Sequence, residues 1–322
     1  MGLNTFLKVD GEVKSPRAAY GETLVELGEK DKNIVVLDAD LSCSTQTCMF
    51  QKRFPERFFN AGIAEQDLMT TAAGLAIAGK IPFVSTFAMF ATARCLDQIR
   101  NSICYPNLNV KIVATHGGIT VGEDGASHQA LEDVSFMRSI PGMTVIVPSD
   151  YNEVKEAVRY AARTEGPFYI RVSRTNLKTV FDETNYKFDP KRALKVTEGK
   201  DVTVVTNGET LIEAINAAKM LEADGIKPEV LHTPQIKPFL AKEDLIQSVK
   251  KTGRVVTVEN HSIIGGIGSV VCETLSENYP ASVLRIGTND VFGQSGEQRV
   301  LMEQYGLTAE KLYEKIKAFL KK

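Results

Sequence analysis

The 322-residue sequence has no tryptophan, only four histidines and only five cysteines. The cysteines (Cys43, Cys48, Cys95, Cys104 and Cys272) are odd in number and none lies in a CxxC pair. That pattern excludes a disulfide framework or a standard structural zinc site and predicts reduced, buried thiols in a cytoplasmic protein. Charge of one sign is also lacking. Lys and Arg total 38 against 40 Asp and Glu, a formal net charge of −2. Without a clustered positive footprint, nucleic acid is demoted as a partner, whereas small anions need only a few placed cations. No long apolar run exists either. The most apolar stretch, Thr70 to Phe90, is interrupted by Gly79, Lys80 and Pro82, and a membrane span needs ~20 unbroken apolar residues. The N-terminus, MGLNTFLKVDGEVKSP, has no basic-then-apolar signal pattern.

What is present is alternation. Short β-branched runs follow amphipathic patterns along the chain, which predicts an α/β fold of two domains, each a mostly parallel sheet with helices on both faces. Arg17–Lys30 is expected as a helix, N-capped by Ser15 with Pro16 at its first position. Strands are expected at NIVVLDAD, IPFVSTF, VKIVATH, TVIVPS and FYIRVS, with helices over Ile63–Ala78, Ala91–Ile103 and Tyr151–Thr164. Residues 176–192 are polar, aperiodic and contain a proline, so they are assigned as a linker between domains 1–175 and 193–322. The pattern then restarts with DVTVVTNG, EVLHTP, RVVTVEN and VLRIG as strands. Thr210–Asp224, Ile267–Glu277 and a basic amphipathic tail, Thr308–Lys322, are expected as helices.

Three places put chemically capable residues at loop ends, where open α/β sheets bind ligands. In GIAEQ, Glu65 opens an otherwise apolar helix. It either complements the helix dipole or is a desolvated carboxylate that exchanges a proton with a heterocyclic nitrogen. The stretch THGGITVGEDGASHQ holds four glycines, an acid pair and the two histidines His116 and His128. A loop of this length is more often functional than idle, and His116, Asp124 and His128 lack any standard metal-ligand spacing. Arg17 and Arg174 would make a phosphate clamp if the fold brought them together. GGIGS at Gly265–Ser269 offers an anion-binding turn or, more in keeping with its departure from GxGxxG, close strand–helix packing.

At these residues the sequence resembles the transketolase family of thiamine diphosphate enzymes. VGEDGASHQALED carries the resemblance most specifically, supported by GIAEQ, DADLSCS and FGQSGEQRVLMEQYGLTAEKL. The likeness runs from about Arg17 to the C-terminus, in the order of the family's pyrimidine-binding and C-terminal domains. It implies that Glu65 hydrogen-bonds N1′ of the aminopyrimidine, favouring the imino tautomer whose nitrogen deprotonates the thiazolium. It also implies that Phe87 and Phe90 pack on the pyrimidine and that Asp40 lies near the thiazolium. Arg17, Ser44, His116 and Arg174 match the set that holds the sugar phosphate. Asp124 matches the residue that reads a substrate hydroxyl, and His128 one that contacts the donor near its carbonyl. Ala93 stands where the family has a further aromatic, Gln66 replaces a common histidine, and GGIT replaces a more usual stretch after His116.

No GDG followed downstream by an Asn pair is present, although the family uses that pattern to hold Mg2+ and the diphosphate. The resemblance therefore implies one subunit of a split transketolase of the pentose phosphate pathway, inactive alone. A partner subunit would carry the diphosphate and Mg2+ ligands, in a cytoplasmic heterotetramer with two copies of each chain. No metal ligand is expected on this chain. Related alternatives are a 1-deoxyxylulose-5-phosphate synthase-like or a 2-oxo acid dehydrogenase beta-like subunit; another is a non-catalytic interaction protein.

Overall fold

The computed structural model describes Leu7 and residues 11–321; the remaining part of the N-terminal domain assignment and Lys322 of the tail helix lie outside the described residues. Hydrophobic runs bounded by polar turns build two main sheets. The first has seven strands in the order Gln235–Lys237, Thr144–Ile146, Phe168–Val172, Lys111–Thr115, Ile81–Ser85, Ile34–Asp38 and Phe58–Asn60. All neighbours are parallel except Gln235–Lys237, which pairs antiparallel with Thr144–Ile146. Every residue of Ile34–Asp38, Lys111–Thr115 and Phe168–Val172 is buried. Helices on both faces impose that burial, which explains continuous apolar runs in place of alternation.

The second sheet has five strands, ordered Ser282–Thr288, Arg254–Ser262, Val202–Thr206, Pro228–His232 and Leu194–Lys195, with only the last antiparallel. The α/β class and the parallel character of both sheets agree with the sequence. One link between the halves was not legible: Gln235–Lys237, from beyond residue 193, forms the edge of the first sheet. A buried polar knot adds a second link. Glu153 accepts from the Ser149 amide, the Ser149 hydroxyl and Tyr186, and pairs with His232 Nε2 at 2.8 Å. Burial alone would raise the Glu153 carboxyl, but His232 and these donors outweigh it and hold the pKa below the ordinary carboxylate value.

Ser15 caps the helix Pro16–Lys30, its hydroxyl accepting from the Ala18 amide at 3.3 Å. The helix expected over Ala91–Ile103 is broken into Ala88–Thr92, Leu96–Gln98 and a π-helical turn, Ile99–Cys104. The Thr92 hydroxyl donates to the Ala88 carbonyl and the Cys95 thiol to the Phe90 carbonyl, local bonds that compete with a continuous ladder. Helices Asp133–Ser139, Lys242–Thr252 and Gln298–Gln304 are additional to the sequence assignment.

Residues 176–192 begin with the short strand Leu177–Lys178, paired antiparallel with Val13–Lys14, then run irregularly but pack firmly. Phe181, Tyr186 and Phe188 are buried, and Asp150 Oδ2 accepts from the amides of Val180 and Phe181. The thiols depart from expectation: Cys95 and Cys104 are buried, Cys43 is exposed, and Cys48 and Cys272 are partly exposed. Cys43 lies on the short helix Ser42–Thr45, at a loop end of the sheet where core packing does not reach. Among the described residues, no helix is long and apolar enough to cross a membrane.

Candidate active site

The sheet gathers the candidate residues because the loops carrying them leave the carboxyl ends of its parallel strands. Ile34–Asp38 leads to Asp40 and Ser44, Ile81–Ser85 to Phe87 and Phe90, Lys111–Thr115 to His116, and Phe168–Val172 to Arg174. Glu65 opens the helix Glu65–Ile77 beyond the strand Phe58–Asn60.

At the centre, the Phe87 ring stacks on the His116 imidazole with centroids 3.8 Å apart and planes 26° apart. Phe90 stacks with Phe87 at 6.0 Å, and His128 meets Phe90 edge-on at 5.3 Å. His116 has a φ of 62°, a left-handed conformation uncommon for a residue with a side chain. Its Nδ1 lies 2.7 Å from the Thr115 hydroxyl. Burial, then the charges of Arg17, Arg174 and His128, push the His116 pKa down to about 3. His116 is therefore neutral near pH 7, with one ring nitrogen donating and the other accepting.

Arg17 and Arg174, 157 positions apart in sequence, come within electrostatic reach of each other. Burial first, and then the Arg174 charge, lower the Arg17 pKa from its ordinary value. Arg17 Nη1 donates to the Ser44 carbonyl at 2.8 Å, while its buried Nε has no protein partner. Arg174 Nη1 donates to the Val121 carbonyl and lies 3.0 Å from Glu123. Two guanidiniums beside a neutral imidazole, with one donor unsatisfied, form a cradle for an anion with several acceptor oxygens.

Glu65 is buried, only 3% exposed, and receives Arg94 Nη1 at 2.8 Å. The same guanidinium lies over the Phe90 ring, 4.5 Å from its centroid. A planar cation with N–H donors can therefore use this carboxylate and this aromatic face together. Those are the contacts an aminopyrimidine ring needs, and the residues fit that group. Asp40 and Asp124 are both exposed. Asp40 is tied to Asn60, which donates Nδ2 to its carboxylate at 3.0 Å and accepts from its amide at 3.1 Å. Among the described residues, no three His, Cys, Asp or Glu side chains gather to hold a metal ion.

Several contributors carried no signal in the sequence. Buried Asp38 accepts from the Leu41 amide and from the hydroxyls of Thr45 and Thr47, fixing the turn that presents Ser44. Gln129 Nε2 donates to Ile119, Gly122 and Gln294 carbonyls, binding the glycine-rich loop to the chain's closing segment. Asn260 accepts from the Ile119 amide at 2.9 Å. Arg94 follows Ala93, the departure already visible in the sequence. GGIGS proves to be a packing turn. A Cβ on Gly266 would lie 1.8 Å from Glu259 Oε2, and Glu259 takes the amides of Ile267 and Gly268 that open the next helix.

An anion cradle, a buried carboxylate and stacked aromatics at the carboxyl edge of a mostly parallel sheet are the features of an α/β protein with a ligand site at its strand ends. Residues 13–179 match the transketolase pyrimidine binding domain and residues 191–312 the transketolase C-terminal domain. The chain belongs to the transketolase family. It is 49% identical over 318 residues to a transketolase C-terminal section of Methanocaldococcus jannaschii, covering 98% of this chain and 99% of that relative. It is 42% identical over 296 residues to a 6-deoxy-6-sulfo-D-fructose transketolase subunit of Clostridium sp. (strain MSTE9), covering 92% and 91%. A solved split gene transketolase, described as an inactive beta4 tetramer, superposes with a TM-score of 0.89 at 52% identity, covering 96% and 99%.

Proposed function

We propose that this chain is the pyrimidine-holding subunit of a split, thiamine diphosphate-dependent transketolase, moving a two-carbon ketol unit between phosphorylated ketoses and aldoses. The observation that carries this reading is the meeting of Arg17, Arg174 and neutral His116, with Arg17 Nε unsatisfied, beside the Phe87–Phe90–His128 cluster. A dianionic phosphate would satisfy those donors, while the stacked rings lie beside them for the reacting part of the substrate.

Bound thiamine diphosphate would supply the carbon nucleophile that accepts the ketol unit. Glu65 would hold a proton at N1′ of the aminopyrimidine, Phe87 and Phe90 would face its ring, and Asp40 would lie toward the thiazolium. Arg17, Ser44, His116 and Arg174 would bind the sugar phosphate. Asp124 would read a hydroxyl of the donor, and His128 would move a proton at the oxygen near its carbonyl. The diphosphate and Mg2+ would be held by a partner subunit, in an assembly with two copies of each chain. The relatives support this division, since a subunit and a C-terminal section align over nearly their whole lengths with this chain. The proposed domains are 1–175 and 193–322, with 176–192 as the connecting segment.

Substrate choice tests the reading. The reconstituted complex, offered a phosphorylated ketose with a phosphorylated aldose, should transfer two carbons, and it should process plain 2-oxo acids poorly. Preference for plain 2-oxo acids would move the chain to the dehydrogenase beta-like class.

A further inference from the structure

Arg94 makes two of the contacts that the aminopyrimidine is assigned, those to Glu65 and Phe90. Its Nη1 donates to Glu65 at 2.8 Å, and its guanidinium covers Phe90 at 4.5 Å. Three neighbouring features make it a movable occupant and not a fixed wall. The Arg94 side chain is 46% exposed, whereas Glu65 is 3% exposed. Its backbone is pinned, because Gln66 Nε2 donates to the Arg94 carbonyl at 3.0 Å. Beside it, Ala93 is exposed and carries no ring to hold the guanidinium from the other side. The side chain can therefore swing into solvent without moving the main chain.

We propose that Arg94 is an internal surrogate for the aminopyrimidine, closing the cradle of Glu65 and Phe90 until the cofactor displaces it. The proposal rests on the reading of Glu65 and Phe90 as the aminopyrimidine's partners. Displacement breaks one ion pair and one cation–π contact, both partly exposed, and returns the guanidinium to water. Such contacts are individually weak, so the latch slows and weakens cofactor entry without preventing it. While it is closed, the buried carboxylate keeps a partner, which avoids leaving an unpaired charge in an apolar site.

The test is calorimetric titration of thiamine diphosphate, at fixed Mg2+, into the complex reconstituted from full-length subunits. Arg94→Ala should lower the Kd by about 3- to 30-fold, the range that two weak contacts supply. Glu65→Gln should raise the Kd. On the Glu65→Gln background, Arg94→Ala should tighten binding less, because one of its two contacts is already weakened. Arg94→Gln serves as the second variant should the alanine chain fold poorly; it keeps a planar amide but not the charge, and should also tighten binding. An unchanged or raised Kd for folded Arg94 variants, with Glu65→Gln still weakening binding, overturns the latch and makes Arg94 part of the cofactor cage. If neither Glu65→Gln nor the Arg94 variants alter the Kd, the cradle assignment itself is wrong and the latch falls with it.

Discussion

Replacing Arg174 with alanine separates the phosphate cradle from the rest of the site. Among the described residues, Arg174 hydrogen-bonds the Val121 carbonyl and the Glu123 carboxylate. Glu123 is exposed, so solvent screens that ion pair and a phosphate displaces it readily. A charge-assisted contact from Arg174 to phosphate is worth about 1.5–3 kcal/mol. Part of that gain is already offset in the wild type by repulsion between Arg174 and Arg17, which adds to the larger effect of burial in lowering the Arg17 pKa. The expected result is a KM for a phosphorylated ketose raised about 10- to 100-fold in Arg174→Ala, with kcat much less affected. The assay is steady-state kinetics of the reconstituted complex with a phosphorylated donor and with hydroxypyruvate, which has no phosphate to lose. Hydroxypyruvate kinetics should stay within a few-fold of wild type. An equal loss with both donors would falsify the cradle and make Arg174 a support for the glycine-rich loop through Val121.

Glu65→Gln should slow proton–deuterium exchange at the cofactor's C2 by about 10²- to 10⁴-fold, the usual scale of a lost acid–base group; a wild-type exchange rate would remove Glu65 from that role. His116→Asn should change how stability depends on pH. Folded His116 and His261, with pKa values pushed down to about 3 and about 4 chiefly by burial, refuse protons that the unfolded chain takes up below about pH 6.5. Each therefore lowers stability as pH falls, by up to about 1.4 kcal/mol per pH unit. Buried Glu259 and Asp150, raised to about 7 and about 6, act in the opposite direction. The decisive quantity is thus the difference in slope between wild type and His116→Asn in urea titrations from pH 6.5 to 4. No difference would mean that His116 titrates as it does in the unfolded chain. His232→Ala should cost about 3–5 kcal/mol in urea unfolding, because fully buried Glu153 loses its partner; a loss below about 1 kcal/mol would mean that Tyr186 and Ser149 suffice.

The sheets were legible because their central strands are fully buried, so residues 34–37 and Val202–Thr206 form unbroken apolar or β-branched runs. The loop around His116 was legible because glycines, acids and histidines crowd one stretch directly after a strand. The break near Cys95 was not, since it depends on where the Thr92 hydroxyl and Cys95 thiol find carbonyls. The edge strand Gln235–Lys237 was hidden by its shortness and by its pairing with a sheet belonging to the other half of the chain. Asp38 and Gln129 looked like ordinary polar residues, because their work is to satisfy backbone amides and carbonyls far away in sequence. Arg94 had only an indirect signal, the small Ala93 before it. What joins Arg17 to Arg174 is tertiary, and no local pattern could give it.

The most direct measurement is ketol transfer by this chain with and without a subunit carrying the diphosphate-binding domain, at saturating thiamine diphosphate and Mg2+. A phosphorylated ketose and a phosphorylated aldose serve as substrates, and sedimentation reports the assembly. The account predicts no transfer by the chain alone at any concentration, and activity that rises with added partner to a plateau at one-to-one stoichiometry. Robust transfer by the isolated chain, or a plateau with no phosphorylated product in the mixed sample, would contradict it.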